Sequence, residues 1–162
     1  MEHEIDPRDF RTAAGQFMTG VTIVTTIDAE GVPSGLTANS FASVSLDPPL
    51  VQFSLGKSST NIDAFEAGNG YVVHVLSAQQ QDLSMRFAAK GIDRFEGWDW
   101  QPGHNGLPVL ADSLATFECS PWATYEGGDH LIYIGKVERL TIGDAEEAAL
   151  GYFRGRYFTS LD

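Results

Sequence analysis

The chain has 162 residues, a length that predicts one domain over residues 1–162, and 43% of its residues are apolar, enough for one core. Ten lysines and arginines stand against 22 aspartates and glutamates, which gives a net charge of −12. This charge disfavours binding to nucleic acids or to anionic membrane surfaces, and the single cysteine, Cys119, excludes an internal disulfide.

The first predicted elements are a helix followed by strands. A helix begins at Pro7, is capped by Asp6 and closes at Gly20, with apolar residues at helical spacing: Phe10, Ala13, Ala14, Phe17 and Met18. The β-branched residues 21–27 predict a strand, and residues 28–31 a hairpin turn. Further strands are predicted over residues 35–38, 41–45 and 50–55, with residues 47–49 as a rigid break because prolines cannot donate to a sheet ladder.

Two helices and another strand are predicted in the middle of the chain. A short helix is expected to begin near residues 59–61, to bury Ile62 and Phe65, and to end at Gly68. A strand follows over residues 71–76. The next helix is predicted over residues 77–88, with its inward face formed by Leu83, Phe87 and Ala88.

The remaining residues predict a long loop, two long strands and a mixed tail. Residues 89–113 are rich in glycine and proline, which indicates an ordered surface loop. Strands are predicted over residues 115–125 and 131–140, joined by residues 126–129, and the tail from residue 145 is expected to be partly helical. Many short strands with tight turns favour a mainly β fold, a closed antiparallel barrel, over a doubly wound sheet.

Most familiar functional signatures are absent from the sequence. Residues 56–59 are similar to the end of a P-loop, but Val51 stands where that motif needs its first glycine. No dinucleotide-binding or hydrolase-elbow motif occurs, and the four histidines lack metal-ligand spacing, so we expect no metal. No apolar run could span a bilayer, and residues 1–6 are polar and acidic, unlike a secretory signal, so a cytoplasmic location is expected.

Four polar segments each admit a structural and a functional interpretation. Residues 37–41 are typical of a turn, which residue physics favours, or of a strand edge that addresses a flat heterocycle. Residues 57–61 cap a helix and also suit an anion. The basic residues of 86–94 most often pair with nearby acids. Residues 127–130 form a turn that ends in His130, which is either merely exposed or a titratable group at a barrel rim.

Taken together, these segments resemble one family. Stretches that match it cover nearly the whole chain: residues 20–26, 35–41, 43–50, 86–88, 93–97, 106–108, 128–130 and 152–157. The run over residues 37–50 is the most specific of them. The chain is similar to the flavin reductase domain family, whose members look like the small reductase component of two-component flavin-dependent monooxygenases.

The resemblance implies a split β-barrel homodimer that binds FMN or FAD and takes a hydride from NADH or NADPH. By resemblance, the flavin ring would contact Thr37, Ala38, Asn39 and Ser40, with Ser43 and Val44 close by. The ribityl phosphate would be held by Ser54, Lys57, Ser58, Ser59 and Thr60, with help from Arg86 and Phe87. The nicotinamide side would hold His130, the catalytic candidate, and the tail residues Phe153, Arg154, Gly155 and Tyr157.

The implied enzyme is an NAD(P)H-dependent flavin reductase that supplies reduced flavin to a separate oxygenase. Such an enzyme needs little side-chain chemistry because the cofactor carries the hydride reaction, which explains the lack of a catalytic triad. Ser34 stands where the family often has histidine, and this leaves the choice of nucleotide open. Two alternatives remain, a non-catalytic flavin-binding or electron-carrier protein and a flavin-free binding barrel.

Overall fold

The computed structural model of the chain describes residues 4–159, so residues 1–3 of the polar N-terminal segment and residues 160–162 of the tail lie outside it. The helices are α1 (Pro7–Ala14), α2 (Ile62–Glu66) and α3 (Gln81–Ala88), and 3₁₀ turns lie at Ala78–Gln80 and His104–Gly106. The first six strands are β1 (Thr19–Gly20), β2 (Thr22–Ile27), β3 (Pro33–Ala38), β4 (Ala42–Leu46), β5 (Pro49–Gly56) and β6 (Tyr71–Val75). The other six are β7 (Trp100–Pro102), β8 (Pro108–Leu110), β9 (Ala115–Gly127), β10 (His130–Ile142), β11 (Leu150–Phe153) and β12 (Arg156–Thr159). The fold is therefore mainly β with few helices, as predicted.

A seven-stranded antiparallel sheet in the order β3-β2-β6-β9-β10-β5-β4 forms the body of the molecule. The predicted closure into a barrel is wrong, because no ladder joins the end strands β3 and β4. Past the point where Ala42 pairs with Gln52, the free edge of β5 bonds to a side chain instead of a strand. The Ser40 hydroxyl accepts the Ser54 N–H at 2.9 Å and donates to the Ser54 carbonyl at 3.2 Å.

Two apolar clusters hold this sheet and its covering elements together. One contains Val24, Phe53 and Tyr71 and draws on β2, β5 and β6, so the sheet curls around it. The other contains Ile23 and Phe87 and packs α3 and β11 against the opposite face. Successive strand residues point to opposite faces, and therefore β2, whose Ile23 and Val24 are both fully buried, serves both clusters.

Several predicted elements are confirmed, with shifts at their ends. In the β2–β3 hairpin, the Asp28 carboxylate accepts the N–H groups of Glu30 and Val32 at 2.9 and 2.8 Å. Helix α1 is capped by Asp6 as predicted, but it ends at Ala14 with Gly15 as its cap and buries none of its residues. Ala88 of α3 is exposed, not inward. Among residues 4–159, no helix is long and apolar enough to cross a membrane.

The predicted long loop over residues 89–113 contains a small hairpin of β7 and β8, so that prediction is wrong in part. Buried polar bonds attach this hairpin to the main sheet. His74, fully buried on β6, contacts the Ile23 carbonyl through Nδ1 at 3.0 Å and accepts the Leu110 N–H at Nε2, also at 3.0 Å. Desolvation by burial lowers the pKa of His74 to about 4, so it is neutral near pH 7.

The predicted partial helix in the tail is also wrong, because β11 and β12 form a hairpin that pairs with β1. Arg154 and Gly155, with φ of 48° and 75°, make its two-residue turn. Consecutive positive φ values are typical of the tight turns that connect antiparallel strands. The hairpin brings the tail against α1, where the Arg154 N–H donates to the Gly15 carbonyl at 3.0 Å.

Candidate functional site

Strand β3 is the feature around which the candidate site is arranged. It lies at one end of the main sheet, so its outer edge has no strand partner in the part of the chain that the structure describes. An unpaired strand edge presents backbone N–H and C=O groups to a ligand. Two clefts lie along β3, one at each end.

The first cleft, with a volume of about 230 Å³, lies where β3 ends, and the tail hairpin forms part of its wall. Its walls are Val21, Thr37, Ala38, Asn39, Ala88, Tyr152 and Tyr157. Thus the structure brings three of the predicted flavin-ring residues together with Tyr157 of the predicted nicotinamide side.

A chain of hydrogen bonds through α3 holds the two walls of this cleft. The Thr37 hydroxyl donates to the Ser84 backbone carbonyl. The Ser84 hydroxyl, which is fully buried, lies 2.8 Å from the Tyr157 hydroxyl. Tyr157 also packs edge-on against Tyr152, with ring centroids 5.5 Å apart. Ser84 therefore positions both the β3 wall and the tail wall.

The second cleft, of about 240 Å³, is polar and lies beside the beginning of β3. Among its walls are Ser34, Thr60, Asn61 and Arg94, and the Ser34 hydroxyl donates to Asn61 Oδ1 at 2.7 Å. The Arg94 guanidinium donates to the Gly35 and Ala89 carbonyls at 2.7 and 2.9 Å. Partial burial lowers the pKa of Arg94 from its usual value, but an arginine remains charged at neutral pH.

Segment 57–60, predicted to hold the phosphate, lies just after β5. Ser59 accepts the Asn61 N–H at 3.2 Å, but α2 begins only at Ile62 and has no side-chain cap, so the predicted capping is partly wrong. Lys57 lies 3.5 Å from Glu126 Oε1, and Ser58 is exposed. Only Thr60 of this segment lines the polar cleft.

The Ser40 hydroxyl bonds the backbone N–H and carbonyl of Ser54 on β5, as described above, and therefore links a predicted ring residue to a predicted phosphate residue. Ser43 and Val44 lie exposed on β4, the other edge strand. These four residues lie outside the walls of both clefts.

The predicted helpers Arg86 and Phe87 have structural partners. Arg86 donates to the Arg94 and Asp93 carbonyls at 2.9 and 2.6 Å and lies 3.9 Å from Glu96, which fits the structural interpretation of this basic cluster. Phe87 is fully buried, and its ring packs against Phe95. Neither side chain lines the two clefts along β3.

His130 begins β10, opposite Gly56 of β5, and is exposed. Its Nδ1 lies 2.7 Å from Asp129 Oδ1. The hydrogen bond from His130, and then its charge, lower the pKa of the Asp129 carboxyl. If Nδ1 carries the proton that Asp129 accepts, a neutral imidazole is left with Nε2 as an acceptor, so donation to a ligand requires the protonated ring. His130 thus lies beside segment 57–60, whereas Arg154 of the predicted nicotinamide side bonds Gly15 and Gln16 just after α1, and Gly155 follows it in the turn of the tail hairpin.

Sequence reasoning missed Ser84 and Arg94 as parts of the site. Ser84 falls on the apolar face of α3 between Leu83 and Phe87, and a small polar residue at such a position was the available signal. Arg94 was assigned only to a solvated basic cluster. In residues 4–159, no group of three or more metal-ligating side chains is placed to hold an ion.

Comparisons with known proteins agree on one family. Residues 14–160 match the model described as flavin reductase like domain. The chain is 42% identical over 158 residues to the reductase subunit HsaB of a flavin-dependent monooxygenase of Mycobacterium tuberculosis, covering 97% of this chain and 84% of that one. It is 48% identical over 154 residues to a probable flavin reductase of Rhizobium meliloti, covering 95% of this chain but 49% of that one.

A solved structure supports the same family. The NADH:FAD oxidoreductase SgcE6 of Streptomyces globisporus superposes with a TM-score of 0.88 at 37% identity, covering 99% of this chain and 98% of that one. The chain therefore spans the full length of some relatives and about half the length of the Rhizobium protein.

Proposed function

The chain belongs to the flavin reductase like domain family, and we propose that it transfers a hydride from NADH or NADPH to FMN or FAD and passes the reduced flavin to a separate oxygenase. The proposal treats residues 1–162 as one catalytic domain. The observation that carries it is the pair of clefts along β3, one bordered by tyrosines and strand backbone and the other polar with an arginine.

The size and chemistry of the clefts fit an elongated flavin nucleotide. Gly35 borders the polar cleft and Ala38 the first cleft, so the two lie about 10 Å apart along β3 at roughly 3.4 Å per residue. A flat ring in the first cleft would meet strand backbone on one side and Tyr152 and Tyr157 on the other. When bound, the flavin supplies the hydride acceptor.

The residues of this chain would bind the flavin ring and orient it. The β3 backbone would hold the polar rim of the ring, because fixed N–H groups stabilise developing negative charge without reorganising. Ser84 keeps Thr37 and Tyr157 in place, so the cleft walls are set before the ligands arrive. Tyr152 and Tyr157 of the tail hairpin would contact the ring from that wall.

The flavin phosphate is proposed to lie near Thr60, between the rest of segment 57–60 and the Arg94 charge at the polar cleft. The other proposed contacts are Lys57, Ser58 and Ser59 in that segment and Ser54 on the preceding strand β5. Replacing Ser59 and Thr60 together by Ala is expected to weaken FMN binding by about 1–3 kcal/mol, the scale of hydrogen bonds to a charged group. Riboflavin lacks the phosphate and serves as the matched ligand control in the same titration. Equal weakening of both ligands would show that the damage is to the segment's fold and not to phosphate binding.

His130 and the tail residues Phe153, Arg154, Gly155 and Tyr157 are proposed to bind the nicotinamide nucleotide. The Asp129 carboxylate lies 2.7 Å from Nδ1 of His130 and so orients the ring, whose Nε2 is proposed to hydrogen-bond the nucleotide. Replacing Asp129 by Asn removes this charge, and we expect a higher KM for NADH with flavin binding unchanged. An unchanged KM for NADH would show that Asp129 and His130 do not contribute to nucleotide binding.

The competing function is a non-catalytic flavin carrier with the same fold. The two are separated by NADH and NADPH oxidation by purified protein, measured with and without added FMN and FAD. The proposal predicts oxidation that requires flavin. A carrier would bind flavin in the same titrations without oxidising either nucleotide.

A homodimer in the cytoplasm is the proposed state of the protein. Two features support a dimer: the unpaired edges of β3 and β4, and exposed apolar residues, among them Phe17 of the α1–β1 connection at 79% and Leu46 of β4 at 94%. Sedimentation velocity at micromolar concentration is expected to give the dimer mass, and a stable monomer would contradict it.

A further inference from the structure

The loop over residues 89–94, which leaves the end of α3, is closed by two arginines. Arg86 lies in the last turn of α3, and Arg94 ends the loop as a wall of the polar cleft. Their side chains cross the loop in opposite directions. The Arg86 guanidinium donates to the backbone carbonyl of Arg94, and the Arg94 guanidinium donates to the carbonyl of Ala89. Each arginine therefore holds the backbone at the other's end of the loop.

The Arg86 side chain holds two neighbouring carbonyls at once. Its Nε donates to the Arg94 carbonyl at 2.9 Å, and its Nη2 donates to the Asp93 carbonyl at 2.6 Å. These two nitrogens form one edge of a planar guanidinium, a fork of donors that suits two adjacent acceptors. The ion pair of Arg86 with Glu96 is 3.9 Å long and exposed, so it contributes little. Arg86 thus fixes the backbone that carries Arg94.

The fixed backbone aims the Arg94 side chain at the cleft. Its Nε and Nη1 donate to the Ala89 and Gly35 carbonyls at 2.9 and 2.7 Å. Ala89 caps the carboxyl end of α3, where the helix dipole stabilises a positive charge. An arginine has five N–H donors, so these two bonds leave others for a ligand. Among the described walls of the polar cleft, Arg94 is the only cation.

The residues beside Arg94 are anchored as well. The Phe95 ring packs edge-on against the fully buried Phe87 of α3, with centroids 5.0 Å apart. Asp93 also lines the polar cleft, but its carboxylate accepts the Phe95 N–H at 3.0 Å. The segment therefore presents the Arg94 charge to the cleft from a fixed backbone.

We propose that Arg86 is a positioning residue for the flavin phosphate: its two carbonyl bonds hold Arg94 where the Arg94 guanidinium binds that phosphate. The role rests on the proposed function, which places the phosphate at the polar cleft. Arg86 itself is not a wall of the cleft, so it acts through Arg94 and not by direct contact. Without the fork, Arg94 keeps its charge but must be ordered when the ligand binds, and that ordering reduces affinity.

A double-mutant cycle on flavin affinity tests this role. Flavin fluorescence quenching measures the binding of FMN and of riboflavin to the full chain, with no nucleotide present. We expect Arg86→Met to weaken FMN binding about fivefold to tenfold, and to have no further effect in the Arg94→Met background. Riboflavin lacks the phosphate, so its affinity should be the same in all four proteins.

Three further variants separate positioning from charge. Arg86→Lys keeps the charge but lacks the fork, so it should bind FMN as weakly as Arg86→Met. Glu96→Gln removes the long ion pair and keeps both carbonyl bonds of Arg86. Arg139→Met removes a charge from an exposed position of β10, outside the polar cleft. The last two variants should bind FMN like the wild type.

Four results would overturn the proposal. Additive losses of FMN affinity would show that Arg86 acts independently of Arg94, and full affinity in Arg86→Lys would show that its charge alone matters. Equal weakening of riboflavin would show that the fork only stabilises the fold. Wild-type protein that binds FMN no more tightly than riboflavin would exclude a phosphate contact. A protein that binds FMN without oxidising NADH would contradict the proposed function and still show the expected coupling.

Discussion

The hydrogen bond between Ser84 and Tyr157 gives the sharpest test of how the candidate site is held together. The two hydroxyls lie 2.8 Å apart, and Ser84 is fully buried. Replacing Tyr157 by Phe leaves the buried Ser84 hydroxyl without this partner, which costs about 1–3 kcal/mol. Replacing Ser84 by Ala has a similar consequence for Tyr157, although smaller, because Tyr157 is only half-buried.

A double-mutant cycle isolates this contact. When both partners are removed no group is left unpaired, so we expect the double variant to be no less stable than Tyr157→Phe alone, with a coupling energy of about 1 kcal/mol. Urea denaturation gives the free energy of unfolding of all four proteins, and Tyr125→Phe is the exposed control.

Steady-state kinetics give a second test of the contact between Ser84 and Tyr157. Because the tail hairpin forms one wall of the cleft, we expect Tyr157→Phe to raise the KM for NADH roughly fivefold to tenfold, the factor that corresponds to 1–1.4 kcal/mol. Strictly additive effects on stability, together with an unchanged KM, would refute the claim that Ser84 positions the tail.

Other predictions concern His74, Gly35 and His130. Folding lowers the pKa of His74 from 6.5 to about 4. Between these two values the unfolded protein binds more protons than the folded one, so the folded state is fully stable above pH 6.5 and loses stability as the pH falls toward 4. Lowering the pH from 7 to 5 is therefore expected to reduce the free energy of unfolding by about 2 kcal/mol. Urea denaturation of His74→Gln should not show this reduction. Gly35→Ala would place a methyl group 3.0 Å from the Phe87 ring and should lower the free energy of unfolding by about 1–3 kcal/mol, whereas Gly20→Ala, with open space around it, should change it little. His130→Ala should lower kcat/KM for NADH and leave flavin affinity and melting temperature nearly unchanged. A lower melting temperature with unchanged kcat/KM would show that His130 only stabilises its turn.

Strands with strong local signals were predictable from the sequence. The β-branched residues of β2 and the turn at Asp28 need no distant partner to be recognised, and the structure has both. The tail was missed because its hairpin depends on a turn at Arg154, and a non-glycine residue seldom adopts positive φ. The β7–β8 hairpin depends on a contact with His74, some 36 residues away in sequence from Leu110, which no local pattern shows.

The candidate site was predictable only in part for the same reason. The run at Thr37 carries a family resemblance, and these residues do line a cleft. By contrast, the contact of Ser84 with Tyr157 joins residues 73 positions apart, so α3 could be recognised as a helix without its role in the site. The prediction of a closed barrel was wrong because β3 and β4 do not pair with each other. Beyond the β4–β5 ladder, the Ser40 hydroxyl bonds the backbone of Ser54 on β5.

Hydride transfer itself is tested most directly by anaerobic stopped-flow mixing of the protein and bound FMN or FAD with NADH or NADPH. Loss of the visible absorbance of the flavin reports reduction in a single turnover, and deuterium at the transferred position of the nucleotide should slow it. We predict complete reduction of one flavin per nucleotide, slower in Tyr157→Phe. Bound flavin that stays oxidised with both nucleotides would contradict the account.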